Sequence, residues 1–121
     1  MTNIQVANKL FLNKKFEDAI FQYELILQDD PHNLLALNNM GYSLTKLKKF
    51  EDAIECYDQS LKIKPDDKTV LVNKISAYRK IGRINDALDL CNEILEKNPD
   101  EMIVLYHKLR LLKKLSRFTE S

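Results

Sequence analysis

The sequence predicts an all-α solenoid of about seven helices, built from helix–turn–helix repeats. Landmark residues recur every 34 positions, and apolar residues between them fall three or four apart, as on one face of a helix. With only two Gly and three Pro in 121 residues, the chain lacks the many turns that a sandwich or barrel requires. The landmarks include Pro31, Pro65 and Pro99, Ala19, Ala53 and Ala87, and Asp18, Asp52 and Asp86.

Local signals place the ends of each helix. Proline stops a helix because it lacks the N–H and restricts the preceding residue. Asn33, and Asp66 or Asp67, are suitable N-caps, and Gly82 is a permissive turn residue. The predicted helices run over about residues 3–12, 16–28, 33–47, 50–62, 67–81, 84–97 and 101–115.

Composition excludes several classes of function. A net charge of +1 argues against a general nucleic-acid binder. The N-terminus does not resemble a signal peptide, and no uncharged stretch is long enough to cross a bilayer. Cys56 and Cys91 lack metal-ligand spacing and predict reduced, buried thiols. The expected location is the cytoplasm.

The repeated residues resemble the tetratricopeptide repeat, with its small residue in the first helix and its A-x3-F in the second. The best copy has Gly41, Ala53, Tyr57 and Pro65 in these places. The resemblance covers the whole chain and implies a right-handed superhelical solenoid. It divides residues 1–121, a single domain, into repeats 1–33, 34–67 and 68–101 and a half repeat or capping helix, 102–121.

Two places depart from the repeat pattern. In the third repeat, Lys74-Ile75 replaces a large apolar residue followed by a small one. Either this helix pair is more widely separated, or its first helix is rotated. In the fourth repeat, Phe118 stands where a second helix should begin, close to the end of the sequence.

The resemblance implies a concave groove, lined by the first helix of each pair, that binds a partner's peptide. Polar residues recur there every 34 positions as a predicted ladder: Gln5, Asn39, Asn73 and His107. Amide side chains can hold an extended peptide because each offers donors and an acceptor. The alternative is that Asn is merely tolerated on an exposed helix face.

A second predicted feature is a basic edge to the groove, which favours acidic ligands. A solvated rim of lysines explains the same pattern. Tyr42 and Tyr106 are candidate apolar anchors. The basic residues are Lys46, Lys80 and Lys114, with Arg79, Arg110 and Lys113 nearby.

Chaperone-binding members of the family clamp a C-terminal carboxylate with Lys, Asn and Arg side chains. Asn8 and Asn39 match the two Asn sites of that clamp. Ile4, Thr69 and Asn73 stand at its three basic sites, so the charge-assisted bonds would be missing. We therefore do not expect binding to chaperone tails.

Nothing in the sequence indicates an enzyme. His32 and His107 stand apart from any nucleophile or carboxylate constellation, and no phosphate-binding loop, metal motif or cofactor motif occurs. The predicted function is a scaffold that binds a protein or peptide, as a monomer or weak homo-oligomer. The alternative is a structural module that self-associates through its incomplete last repeat, burying Leu111 and Leu112. The groove residues predicted to bind a partner are Gln5, Asn8, Asn39, Tyr42, Lys46, Asn73, Lys80, Tyr106, His107 and Arg110.

Overall fold

A computed structural model describes the backbone of residues 1–120 and the side chains of residues 1–117. This part of the chain contains seven α-helices and no strand, which confirms the predicted fold class. The helices are α1 (Asn3–Leu12), α2 (Phe16–Asp29), α3 (Leu34–Lys46), α4 (Phe50–Ile63), α5 (Lys68–Lys80), α6 (Ile84–Lys97) and α7 (Met102–Glu120).

The first helix of each complete pair begins with a side-chain cap. Thr2 and Gln5 form a reciprocal capping box at the start of α1. Asn33 accepts a hydrogen bond from the N–H of Ala36, and Asp67 accepts one from Val70. These caps satisfy N–H groups that the helix itself leaves unpaired, and Asn33 and Asp67 are N-caps that the sequence predicted.

Each helix pair is joined by a tight turn with one residue in the left-handed region. Lys14, Lys48 and Gly82 occupy this place, with φ of 61°, 62° and 80°. In the second turn, Lys49 N–H donates to Leu44 O at 2.8 Å and Lys48 N–H donates to Thr45 O at 3.0 Å. This pair of bonds defines a Schellman motif, which ends α3 and starts the return path.

The helices form two layers, and the helices within one layer lie closer to one another than those within the other. α1 packs on α3, α3 on α5 and α5 on α7, whereas in the described residues no Cα atoms of α2, α4 and α6 come within 8 Å of one another. The layer of α1, α3, α5 and α7 is therefore on the inside of the curve, and we call it the inner layer. Successive helices are antiparallel, so the inner helices are parallel to one another.

Each helix pair has its own buried cluster, and clusters join through the inner layer. In the first pair, Ala7 and Tyr23 are fully buried. In the second, Ala53, Tyr57 and Leu44 are at most 6% exposed. Small residues on one helix let the large residues of its neighbour fill the gap at native density.

In the third pair, the large residue is on the first helix and the small residue is on the second. Ile75 lies where the second pair has Gly41, and Cys91 lies where it has Tyr57; both Ile75 and Cys91 are fully buried in one cluster. A large residue on α5 is thus matched by a small one on α6. α5 and α6 also approach each other less closely along their length than α3 and α4 do. Of the two explanations for Lys74-Ile75, this favours a wider separation of the helix pair over a rotation of its first helix.

The last helix is longer than the sequence predicted. We expected it to end near Leu115, with a turn before Phe118, but α7 continues without a break to Glu120. Ser116 stands where the earlier turns have Lys14, Lys48 and Gly82, and it stays helical. The side chain of Phe118 lies outside the described residues. The prediction of a turn here was wrong because the local sequence has no strong helix stop.

Candidate functional site

The inner layer brings the predicted ladder residues onto one face but into four different environments. The Gln5 side chain accepts a hydrogen bond from the Thr2 N–H at 2.9 Å as part of the helix cap. Asn39 is half-buried and hydrogen-bonded, and His107 is only 8% exposed. The side-chain amide of Asn73, a half-buried residue, has no hydrogen-bond partner among the described residues. Equivalent positions in the repeat therefore differ in what they can offer to a ligand.

Asn8, Tyr23 and Asn39 form a hydrogen-bonded group across three helices. Tyr23 Oη donates to Asn8 Oδ1 at 2.6 Å, and Asn39 Nδ2 donates to Tyr23 Oη at 3.0 Å. Burial raises the pKa of Tyr23, and the bond from Asn39 partly opposes this. The network fixes the amide of Asn39, whose Oδ1 accepts no hydrogen bond within the described part of the chain. That oxygen is therefore an acceptor that the network leaves unused.

Tyr42 belongs to an aromatic cluster near the C-terminal ends of α1 and α3. Its ring centroid lies 5.5 Å from that of Phe11 and 6.3 Å from that of Phe16, both edge to face. Lys46 Nζ lies 5.2 Å from the Tyr42 ring centroid, a cation–π contact. The cluster lines a cleft of about 320 Å³, and Tyr42 remains 38% exposed. It presents aromatic surface beside a positive charge.

The C-terminal half of the inner layer carries a second group of polar and aromatic side chains. Arg110 lies over the ring of Tyr106, with 5.5 Å between the guanidinium carbon and the ring centroid, and Tyr106 is 58% exposed. Beside them, burial and then the charges of Arg79 and Arg110 lower the pKa of His107. Lys80 is exposed at the end of α5. Two guanidinium groups, those of Arg79 and Arg110, therefore act on one largely buried imidazole here.

Sequence reasoning missed a separation of charge between the two layers. α1, α3 and α5 contain no Asp or Glu, and neither does α7 up to Arg117. α2, α4 and α6 carry four carboxylates each. A net charge of +1 hides this arrangement, but a count of charges helix by helix would have found it. The inner layer is basic and the outer layer acidic.

In the part of the chain that the structure describes, no group of three or more His, Cys, Asp or Glu side chains lies close enough together to hold a metal ion. No described helix combines the length and apolar character needed to cross a membrane.

Taken together, the fold and this face define a helical-repeat solenoid with a basic, aromatic and amide-bearing inner surface. Residues 35–67 match the family model described as the tetratricopeptide repeat. No curated protein sequence matches the chain significantly.

Solved structures share the fold at low sequence identity. One is the first tetratricopeptide domain of Spaghetti (RPAP3) bound to an HSP90 peptide: 20% identical, TM-score 0.82, covering 93% of this chain and 89% of that one. Another is the second such domain of human RPAP3 with an HSP70 peptide: 20% identical, TM-score 0.79, covering 90% and 91%. A tetratricopeptide repeat protein from Parabacteroides merdae is 22% identical, with TM-score 0.87, but this chain covers 47% of it and is itself 97% covered.

The central repeat thus matches the tetratricopeptide repeat model, and the described length of the chain shares the fold of solved tetratricopeptide domains.

Proposed function

We propose that this chain is an interaction module that binds an extended segment of a partner protein along its inner layer. The observation that carries the proposal is the combination on one face of hydrogen-bonding amides, exposed aromatic rings and unopposed positive charge. The solved structures that hold HSP90 and HSP70 peptides on the same fold support a peptide ligand. Tetratricopeptide domains generally act by binding rather than by catalysis, which fits a function without an enzyme site.

Each group on the inner layer has a distinct role in this proposal. The fixed amide of Asn39 and the unpartnered amide of Asn73 bond the backbone of the segment, while Asn8 holds Asn39 in place through Tyr23. Tyr42 and Tyr106 supply apolar contact. Lys46, Lys80 and Arg110 attract acidic side chains, with Gln5 and His107 at the two ends of the polar row.

The proposal does not extend to chaperone tails. The HSP90 and HSP70 peptides in the two neighbours end in EEVD. Here Ile4 and Thr69 stand where the family's clamp has cations, and neither can make a charge-assisted bond to a carboxylate. The acidic partner that we propose is therefore held by a different set of cations.

The test uses a peptide selected from a random library on the wild-type protein. Asn39→Ala combined with Asn73→Ala should weaken its binding about tenfold, the loss expected of one or two hydrogen bonds. Titration calorimetry measures the affinity, and circular dichroism checks that helicity is kept. Gln59→Ala, an exposed amide on α4 in the outer layer, is the control. Equal affinities for wild type and double variant would remove the amides from the site.

A second candidate function, self-association, is favoured by the outer face of α7. Leu109 is 67% exposed and Leu112 is 43% exposed. Leu111, which the sequence suggested for such a contact, is fully buried in the core of the third pair, so that part of the prediction was wrong. Sedimentation at several concentrations decides between the two: a monomer throughout leaves only the interaction module.

A further inference from the structure

The positive charge of the inner layer is concentrated in its last two helices. α1 and α3 each carry a single cation, Lys9 and Lys46. α5 and α7 carry most of the others, and in the described residues the ion pairs of these two helices involve only Lys68, with Glu101, and Lys74, with Asp58. The seam between α5 and α7 is thus the most positive and least neutralised part of the groove.

Arg79 and Arg110 face this seam, and neither is paired with a carboxylate within residues 1–117. They come from different helices, and Arg110 is close enough that its charge, after burial, contributes to lowering the pKa of Arg79. Arg79 Nε is buried and has no hydrogen-bond acceptor among the described residues. His107 lies beside both arginines and is only 8% exposed. Its Nδ1 also has no hydrogen-bond partner among the described residues. Two like charges held together with unused donors form a site that an anion would stabilise.

An apolar cleft opens at the other end of the same seam. It has a volume of about 290 Å³ and lies between the first turns of α5 and α7. Val72, Ile103 and Val104 form its apolar wall, and Asn73 stands at its edge. Ile103 is 59% exposed, so the cleft is open to the groove. A cleft of this size accepts an aliphatic side chain.

The two features are separated by a distance that a short extended peptide spans. From Val72 to Arg79 is about 10 Å along the helix, at ~1.5 Å per residue. An extended chain advances about 3.3 Å per residue, so about three residues cover that distance. Asn73 and His107, which occupy equivalent positions, lie between the ends.

We propose that the α5–α7 seam recognises an acidic peptide segment in which an aliphatic residue enters the cleft and a carboxylate about three residues away binds between Arg79 and Arg110. This inference rests on the proposed function and adds the chemical class of its partner. A peptide is favoured over a nucleic acid because the anion site adjoins an apolar cleft, and because the carboxylate-rich outer layer repels a long polyanion.

The probes are blocked Gly/Ser peptides that carry one Leu and one Glu three residues apart. Matched peptides replace Glu with Gln, or place Leu and Glu next to each other. Binding to the full chain is followed by amide chemical shifts in heteronuclear NMR spectra. We expect the Leu-x-x-Glu peptide to bind about tenfold more tightly than its Gln counterpart, as for one charge-assisted bond, with the shifts centred on Val72, Arg79 and Arg110.

Variants separate the two ends of the site. Arg79→Gln with Arg110→Gln should remove the preference for Glu over Gln. Val72→Ser should weaken both peptides equally. Lys62→Gln, an exposed lysine on α4 in the outer layer, is the control and should change neither preference. Thermal unfolding of each variant checks that the fold is kept.

The outcomes distinguish this inference from the proposed function. One outcome is that library-selected peptides bind but change the amide chemical shifts of α1 and α3 only, or bind the Arg79→Gln/Arg110→Gln variant as tightly as wild type. In either case the proposed α5–α7 site is wrong, and the interaction module stands. If no peptide binds anywhere, both fail. If single-stranded RNA binds at the seam more tightly than the Leu-x-x-Glu peptide, the partner class proposed here is overturned.

Discussion

At the scale of single residues, the turns between paired helices place two lysines in an unfavourable backbone conformation. Lys14 and Lys48 adopt φ near +60°, where a Cβ crowds the carbonyl oxygen, whereas the equivalent third position is Gly82. The backbone conformation of the three turns is otherwise the same, because all three form the same pair of backbone hydrogen bonds. The chain thus contains its own comparison of Lys and Gly at one site.

Lys48→Gly should therefore stabilise the protein. The relief of left-handed strain exceeds the added entropy of Gly in the unfolded chain, giving a net gain of about 0.5–1 kcal/mol in the free energy of unfolding. Urea denaturation followed by circular dichroism measures the change. Gly82→Ala is the reverse control: a Cβ there meets nothing within 4 Å, so any loss of stability reflects the backbone alone. A destabilised Lys48→Gly protein would contradict this account of the turns.

At the scale of helix pairs, the central repeat depends on a close approach of α3 and α4 at Gly41. A Cβ placed on Gly41 would lie 2.6 Å from Cε1 and 3.0 Å from Cδ1 of Tyr57. The Tyr57 ring cannot move away easily, because it is 1% exposed and its hydroxyl is 3.2 Å from Thr45 Oγ1. The third pair avoids this contact with Ile75 and Cys91.

We expect Gly41→Ala to destabilise the protein by about 1–3 kcal/mol through overpacking. The same substitution should cost less in a Tyr57→Leu background, because the clashing ring is gone. A double-mutant cycle of thermal unfolding measures this coupling between the two positions. Additive effects of the two substitutions would mean that Gly41 acts through helix propensity and not through the ring.

A link between pairs is made by Lys74, the residue that departs from the repeat pattern. Its Nζ lies 2.6 Å from Asp58 Oδ1 on α4 and 5.5 Å from the centroid of the Tyr78 ring. Burial by itself lowers the pKa of Lys74, but the hydrogen bond and charge of Asp58, with a smaller part from Tyr78, raise it overall. A polar residue at an apolar repeat position is thus retained by a cross-repeat ion pair that involves an outer-layer carboxylate.

At the scale of the whole molecule, the two layers carry opposite charge. Carboxylates on α2, α4 and α6 surround the outer side, and cations on α5 and α7 line the inner side. Such an arrangement focuses a positive field in the groove even though the net charge is only +1. The outer carboxylates also suppress the thiolate of Cys56: burial first, and then Glu55, Asp52 and Glu24, raise its pKa to about 12.

Binding of an acidic peptide should accordingly weaken as salt is added. The Debye length falls from about 30 Å at 0.01 M to about 8 Å at 0.15 M ionic strength, which screens the field of the inner layer. Stopped-flow fluorescence with a labelled Leu-x-x-Glu peptide should show that the association rate falls more than the dissociation rate rises. The Gln counterpart is the control and should be nearly insensitive to salt. Equal salt dependence for both peptides would argue against steering by the inner layer.

The sequence by itself determined the repeat period, the helix order, the cap at Asn33, a cap at Asp66 or Asp67, and the turns near Lys48 and Gly82. These depend on residues within a few positions of one another, so local chemistry suffices. Because α1, α3 and α5 are free of carboxylates, the sequence also contained the separation of charge, once the helices were known.

The tertiary structure decided what equivalent positions do. Gln5 closes a cap, Asn39 is fixed by Tyr23, Asn73 stays unpartnered and His107 is buried beside two arginines. It also showed that Ile75 is matched by Cys91, that Leu111 is buried, and that α7 continues to Glu120. The period of 34 fixes where a residue stands in its own repeat, but its burial and partners come from helices of other repeats. That is why the fold followed from the sequence while the state of each groove residue required the packed molecule.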